Sequence, residues 1–211
     1  MAKLKSNFIN MTVVLTGSVL FAAVVLGSMH AITKQPIDAV KAKNLQNSIR
    51  AVLPAFERLN EPESVEVKGV GTFVVHRAFD RNQNFVGAAV ESSSKNGFNG
   101  FINVMVGFDA EGNIVNYSVL EQKETPGLGT KMVDWFKPIA NTEKSLLEKI
   151  VGYEVKPVER NSSVVGKNPA HNRLTVSKEG GEIDAITAAT ISSRAFLETV
   201  QNAYKALNSI N

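Results

Sequence analysis

The sequence predicts an α+β chain: one N-terminal transmembrane helix, then a domain built on an antiparallel sheet with flanking helices. Three observations predict it. Residues 6–33 contain no Asp, Glu, Lys or Arg, and residues 11–29 (MTVVLTGSVLFAAVVLGSM) are apolar almost throughout. The runs 101–108 (FINVMVGF) and 114–121 (IVNYSVLE) flank DAEGN, a β-hairpin pattern. Strand-type and helix-type runs are then mixed without a βαβ rhythm, and neither a Rossmann glycine fingerprint nor a P-loop is present.

The apolar run comes first. About 20 helical residues at roughly 1.5 Å each span about 30 Å, the thickness of a bilayer's hydrocarbon core. A cleaved signal peptide is the competing reading, because Lys3 and Lys5 precede the run. The run exceeds a usual signal core, and the SMHAIT that follows offers no small-x-small cleavage site, so an uncleaved anchor is expected. Lys3 and Lys5 on one side face Lys34, Lys41 and Lys43 on the other, and this balance leaves the orientation open.

Residues 36–53 (PIDAVKAKNLQNSIRAVL) read as a helix with Pro36 in its first turn and Pro54 ending it, able to extend directly from the anchor. The Val- and Phe-rich runs 64–79 and 84–91 read as β structure. After the hairpin, ETPGLGT is a loop by composition, 131–151 is helical in parts and broken at Pro138, and a strand is expected near 172–177. A final helix from about 188 to 208 would bury a face of Ile191, Ala195, Val200, Tyr204 and Leu207. The expected organisation is 1–33 tail and anchor, 34–62 connecting helix, and 63–211 the folded domain.

Composition excludes several classes. A chain of 211 residues, 44% hydrophobic, leaves enough for one domain with a core after the anchor is subtracted. The 23 Lys and Arg against 20 Asp and Glu form no basic stripe, so no nucleic-acid partner is expected. Cysteine is absent, which removes disulfides, thiolate zinc sites and cysteine-ligated iron–sulfur clusters. His30, His76 and His171 match no ligand spacing, so no metal site is expected and any redox role needs an organic cofactor.

Two motifs carry chemistry. In DAITAATISS (184–193), Asp184 and Thr187 are placed to cap a helix whose opening turn holds Ala188, Ala189 and Thr190. A hydroxyl there sits beside unpaired N–H groups and the positive end of the helix dipole, a setting that favours phosphate. Most such hydroxyls are simply caps. In EQKETPGLGT (121–130), Gly127 and Gly129 let backbone approach a flat ligand, and Glu121 and Glu124 offer acceptors. A Pro-Gly loop after a strand is also commonplace.

Taken together, the N-terminal anchor, GFNGFINVMVGFD, VLEQKETPGLGTK and DAITAATISSRA, in this order, resemble the FMN-binding domain of the G subunit of Rnf electron-transport complexes. The C subunit of the Na⁺-translocating NADH:quinone reductase shares that domain. The resemblance implies FMN attached by a flavin transferase, from FAD, through a phosphoester to Thr190. Thr190 is the last residue of a motif that here reads Thr187-Ala188-Ala189-Thr190, with alanine at 188 where the family usually has glycine. It also implies that Glu121, Glu124, Thr125, Pro126, Gly127, Leu128 and Gly129 line the flavin, with Lys131 a candidate partner of its phosphate or of a carbonyl. Thr190 would be an attachment point, and no residue a catalyst by itself.

The resemblance further implies an extracytoplasmic domain on a bacterial inner membrane, partnered by the bilayer and the other members of the complex. Electrons would pass through it in ferredoxin–NAD exchange coupled to ion pumping. The compact length favours the Rnf type over the quinone-reductase type. An anchored binding or scaffolding module is the rival class, and a free-standing flavin reductase lacks a nicotinamide site.

Overall fold

The computed structural model describes residues 7–139 and 160–210. The chain divides into two compact units, residues 1–45 and 46–211.

Helix α1 (Phe8–Val52) is a single helix of 45 residues, about 68 Å at 1.5 Å per residue. By length and composition it is able to cross a membrane. Phe8, Leu15, Phe21, Val24 and Leu26 are exposed along it. The hydroxyls of Thr12, Ser18, Ser28 and Thr33 donate to the carbonyls of Phe8, Leu15, Val24 and Met29 at 2.7–3.0 Å, which satisfies them without water. Pro36 lies inside this helix, not in the first turn of a second one. A proline removes one backbone hydrogen bond there, and the good helix formers of 38–52 carry the helix past it.

In the second unit, six strands form one antiparallel sheet ordered β1-β3-β4-β5-β6, with β2 also on β3. They are β1 (Arg58–Leu59), β2 (Glu63–Val67), β3 (Gly71–Phe79), β4 (Phe85–Gly97), β5 (Gly100–Asp109) and β6 (Ile114–Gln122). The expected run 64–79 is thus two strands, split at a turn where Gly69 takes φ +77°. The hairpin of β5 and β6 stands where the sequence placed it.

The loops joining β3 to β4 and β5 to β6 share one design. Asp80 accepts from the backbone of Asn82 and Asn84 and from the Asn84 amide at 2.7–3.0 Å. Asp109 does the same for Glu111 and Asn113 at 2.8–3.0 Å. Each loop needs a left-handed residue, supplied by Gln83 (φ 64°) and Gly112 (φ 82°).

The two sheet faces are covered differently. Val75, Val90, Val104, Val106 and Phe108 belong to the core under α3 (Thr190–Asn208), together with Phe196, Val200, Ala203 and Leu207. Phe196 stacks on Phe136 at 4.4 Å and meets Tyr117 edge-on at 4.8 Å. Burying each such aromatic is worth about 1.5–3 kcal/mol. The Tyr117 hydroxyl donates to the Met132 carbonyl at 2.7 Å and accepts from the Phe136 N–H at 3.2 Å. This ties in the short helix α2 (Met132–Trp135), and burial raises the Tyr117 pKa above its ordinary value.

The last turns of α1 lie on the other face. Ser48 and Ser118 share a hydrogen bond of 3.0 Å, and the Asn116 amide donates to the Ala51 carbonyl at 2.9 Å. The Val52 backbone occupies the space that a Cβ on Gly107 would need.

Two other expectations are corrected. Residues 172–177 form no strand; Val176 makes an isolated bridge to Ile183, and a 3-10 turn follows at Ser177–Glu179. That loop buries Leu174, Val176 and Ile183 without needing a ladder. On α3, Ala195, Val200 and Leu207 are buried as expected, but Ile191 is 46% exposed and Tyr204 only half-buried. The buried stripe is centred on Phe196 and Ala203, which turns residue 191 outward. Of the helical stretch expected at 131–151, α2 covers 132–135, and residues 140–151 lie outside the described residues.

His76 pairs with Ala89, itself opposite Gly107, and so shares the face on which α1 ends. It is buried, and its Nε2 has no partner among the described residues. Burial holds its pKa below the ordinary 6.5, against an opposing pull from Glu91. The unfolded chain therefore takes up a proton that the folded one resists. Stability is expected to be highest above pH 6.5 and to fall as the pH drops below it. His76→Leu should flatten that slope between about pH 7 and 5 in thermal unfolding scans. An unchanged slope would remove His76 as its source.

Candidate functional site

The β4–β5 turn, the end of β6 and the start of α3 meet at one end of the sheet. Between them lies a cleft of about 330 Å³ lined by Phe98, Glu124, Thr125, Leu128, Gly129 and residues 188–192. The two sequence motifs are therefore brought together, one on each side.

Its first wall is the loop after β6. Leu128 N–H donates to the Thr125 carbonyl at 3.1 Å, with Pro126 second and Gly127 third at φ +75°, a type II turn. Thr130 Oγ1 accepts from the Gly127 N–H at 3.0 Å and steadies the turn. This geometry presents Leu128, 38% exposed, to the cleft.

The second wall is the tip of the β4–β5 hairpin. Gly97 pairs with Gly100, leaving Phe98 and Asn99 as a two-residue turn. Phe98 is 64% exposed, an aromatic where turn chemistry favours small polar residues.

The third wall is the start of α3. Ala188 sits at φ +62°, and Ala189 is the N-cap, without a side-chain cap. A left-handed residue cannot continue a right-handed helix, so α3 starts at Thr190 rather than near 188. Asp184 and Thr187 do not cap it. The Asp184 carboxyl accepts from the Asn161 N–H at 2.8 Å, and its carbonyl accepts from the Trp135 indole at 2.9 Å. Ser193 closes the turn instead: its Oγ accepts from the Ile186 N–H and donates to the Ala189 carbonyl, both at 2.9 Å.

The N–H groups of Thr190, Ile191 and Ser192 have no acceptor among the described residues. They are the free donors of a first helical turn, at the positive end of a helix of 19 residues.

Glu124 is buried at the junction of all three walls, 5% exposed. Its Oε2 accepts from Ser192 Oγ at 2.7 Å, and its Oε1 accepts from the Asn99 N–H at 3.3 Å.

The remaining sequence-predicted residues stand apart from the lining. Glu121, Pro126, Gly127, Lys131 and Thr187 are exposed and Asp184 is half-buried, and none of them lines the cleft, although Pro126 and Gly127 shape the turn that presents Leu128 to it. Conversely, Phe98 and Ser192 line the cleft without having been singled out, and Ile191, expected on the buried face of the last helix, lines it too. The Gly-Phe-Asn-Gly spacing at 97–100 was the available signal for the first, since it marks a tight turn carrying a misplaced aromatic. A second cleft of about 420 Å³ lies on the far side of Ile191, lined by Leu174, Glu179, Arg194, Glu198 and Gln201 among others. It contains no residue of the Thr-Pro-Gly-Leu-Gly loop.

The cleft suits a flat apolar ring ending in a phosphate. Phe98, Leu128 and Ile191 offer exposed apolar surface, while the Thr190 hydroxyl and the free N–H groups form a polar end. Residues 97–205 match the FMN-binding domain family. The chain belongs to this family. Its relatives include proteins named as the G subunit of an ion-translocating oxidoreductase complex. The one from Yersinia pestis is 28% identical over 197 residues, covering 87% of this chain and 84% of that protein. The one from Photorhabdus laumondii is 29% identical over 191 residues, covering 86% and 83%. The Salmonella typhi protein is 34% identical over 137 residues, covering 64% and 56%.

In this family member, Ala188 occupies a backbone conformation that costs an L-residue about 1–2 kcal/mol. Glycine would relieve that cost but lose roughly 0.4–1 kcal/mol in unfolded-state entropy. Ala188→Gly is therefore expected to stabilise the protein by roughly 0.5–1 kcal/mol in denaturant titrations, and Ala188→Val to destabilise it. Loss of stability in the glycine variant would show that the turn is not left-handed in solution.

Proposed function

We propose that this protein is an electron-transfer component of a membrane-bound, ion-translocating oxidoreductase complex of the Rnf type, with FMN bound covalently to Thr190. The observation that carries the reading is the meeting of the Thr190 turn with the Leu128 loop around one apolar cleft. The family match and the relatives named as G subunits support it.

Thr190 Oγ1 is the acceptor in the loading step. It bonds to the flavin-side phosphorus of FAD, the pyrophosphate P–O bond breaks, the hydroxyl proton is lost and AMP leaves. A dedicated flavin transferase catalyses this. The free N–H groups of residues 190–192 would hold the phosphodiester, whose one negative charge suits a helix N-terminus. Phe98, Leu128 and Ile191 supply the apolar walls for the ring. When bound, FMN supplies reversible electron transfer; the chain supplies position and surroundings.

A covalent link suits an open cleft. Tethering makes the effective concentration of the cofactor independent of its dissociation. Helix α1 anchors the chain as a single-pass membrane protein, with the flavin domain on the extracytoplasmic side beside the other members of the complex.

The test is gel fluorescence of the denatured full-length protein after co-expression with a flavin transferase proven on a known acceptor. Wild-type protein is expected to give a flavin band, and Thr190→Val none, with far-ultraviolet circular dichroism unchanged. A band that persists in Thr190→Val would move the attachment elsewhere. Absence of a wild-type band would reject covalent flavin.

A further inference from the structure

Glu124 is an unusual residue to bury. A carboxyl out of water is costly unless its oxygens are satisfied, and no Lys or Arg pairs with it among the described residues. Each oxygen is taken up by a different wall of the cleft: Oε2 by Ser192 Oγ at 2.7 Å on α3, and Oε1 by the Asn99 N–H at 3.3 Å on the hairpin tip. Its own backbone N–H is held by Gln122 Oε1 at 2.6 Å.

Two glycines make room for it. A Cβ on Gly129 would come within 2.7 Å of Glu124 Cβ, Glu124 Oε2 and Ser192 Oγ. A Cβ on Gly97 would collide with Glu124 Oε1 and the Gly100 carbonyl. Both glycines have ordinary φ values, so what requires glycine at each is the absence of space. The side chain is thus enclosed by the hairpin, its own loop and the third residue of α3.

We infer that Glu124 is the positioning residue of the cleft, a strut rather than a flavin acceptor. By holding Ser192 and Asn99 at once, it sets Thr190 and Ile191 on α3, Phe98 on the tip and Leu128 on the loop in mutual register. This rests on the reading that the cleft receives FMN on Thr190. It differs from the expectation that Glu124 offers its oxygens to the flavin, because the residue is 5% exposed and each oxygen accepts from a different wall of the cleft. The Ser192 hydroxyl is its working partner, so the pair acts as one unit on the geometry of the Thr190 turn.

The experiment is a double-mutant cycle on the rate of covalent flavin loading of full-length protein, using FAD and a purified flavin transferase. Glu124→Ala and Ser192→Ala are each expected to slow loading at least tenfold, and the double variant no more than the slower single one. Glu124→Gln, whose amide oxygen still accepts from Ser192 while its –NH2 cannot accept from the Asn99 N–H, should load at a rate between those of Glu124→Ala and wild type. In the flavin that Glu124→Ala does carry, iodide should quench fluorescence more strongly than in wild type, since the walls no longer enclose the ring. Should Glu124→Ala fail to fold, Ser192→Ala and Glu124→Gln/Ser192→Ala complete the cycle.

Wild-type loading rates in both alanine variants would overturn the proposal, as would multiplicative effects in the double variant. A wild-type protein that takes no flavin would instead reject the reading on which the proposal rests, and the proposal with it.

Discussion

The packing of α3 across the sheet is the constraint on which the rest of the domain depends. Phe196, Val200, Ala203 and Leu207 bury against the side chains that β3, β4 and β5 point to one face. That apolar contact fixes both ends of the helix. Its last turns come to lie beside the β5–β6 loop, where Tyr204 meets Phe108 at 5.9 Å. Its first turn is delivered to the opposite end, where the β4–β5 tip and the loop after β6 emerge. The cleft is placed by core packing before any polar residue of the site acts.

Polar contacts then refine what hydrophobic burial has set. Ser94 Oγ and the Asn96 amide both donate to the Glu198 carboxyl at 2.7–3.1 Å, joining the end of β4 to the third turn of α3. Glu124 joins the same helix to the loop and the tip. Ser193 closes the lead-in turn, and Asp184 braces that turn against Trp135 and Asn161. Three successive residues of α3 thus face three ways: Ile191 to the clefts, Ser192 to Glu124, Ser193 to the lead-in. A run that looks like an undistinguished Ile-Ser-Ser is the most differentiated part of the helix.

Much of this architecture was legible in the sequence because its signals are local. The apolar run of α1, the β5–β6 hairpin around its Asp-Asn loop, and the two motifs flanking the cleft all follow from patterns within about a dozen residues. What was not legible depends on contacts distant in the chain. The extension of β4 through Ser92, Ser93, Ser94, Lys95 and Asn96 lies beyond the run 84–91 read as β structure, and it is strand because β5 pairs with it and Glu198 takes its polar groups. The capping role expected of Asp184 and Thr187 is filled by no side chain: Ala188 is left-handed, Ala189 becomes the N-cap, and Ser193 ties the lead-in instead, a tertiary outcome that propensity does not encode. Glu124 was singled out for its acceptor oxygens, but only the fold shows that those oxygens already have partners.

The strained turn and the buried strut act on the same feature from opposite sides. Ala188 holds its conformation at a cost that the lead-in contacts must offset, and strain of this kind persists only where neighbouring structure over-determines the backbone. Ser193, Asp184 and the Glu124–Ser192 hydrogen bond supply that over-determination within a few residues of Thr190. An open cleft with three exposed apolar side chains gives a ring few directional contacts with which to choose its position. On the proposed reading, position is therefore specified at the acceptor hydroxyl, through a turn that cannot relax. The apolar walls need only to follow it.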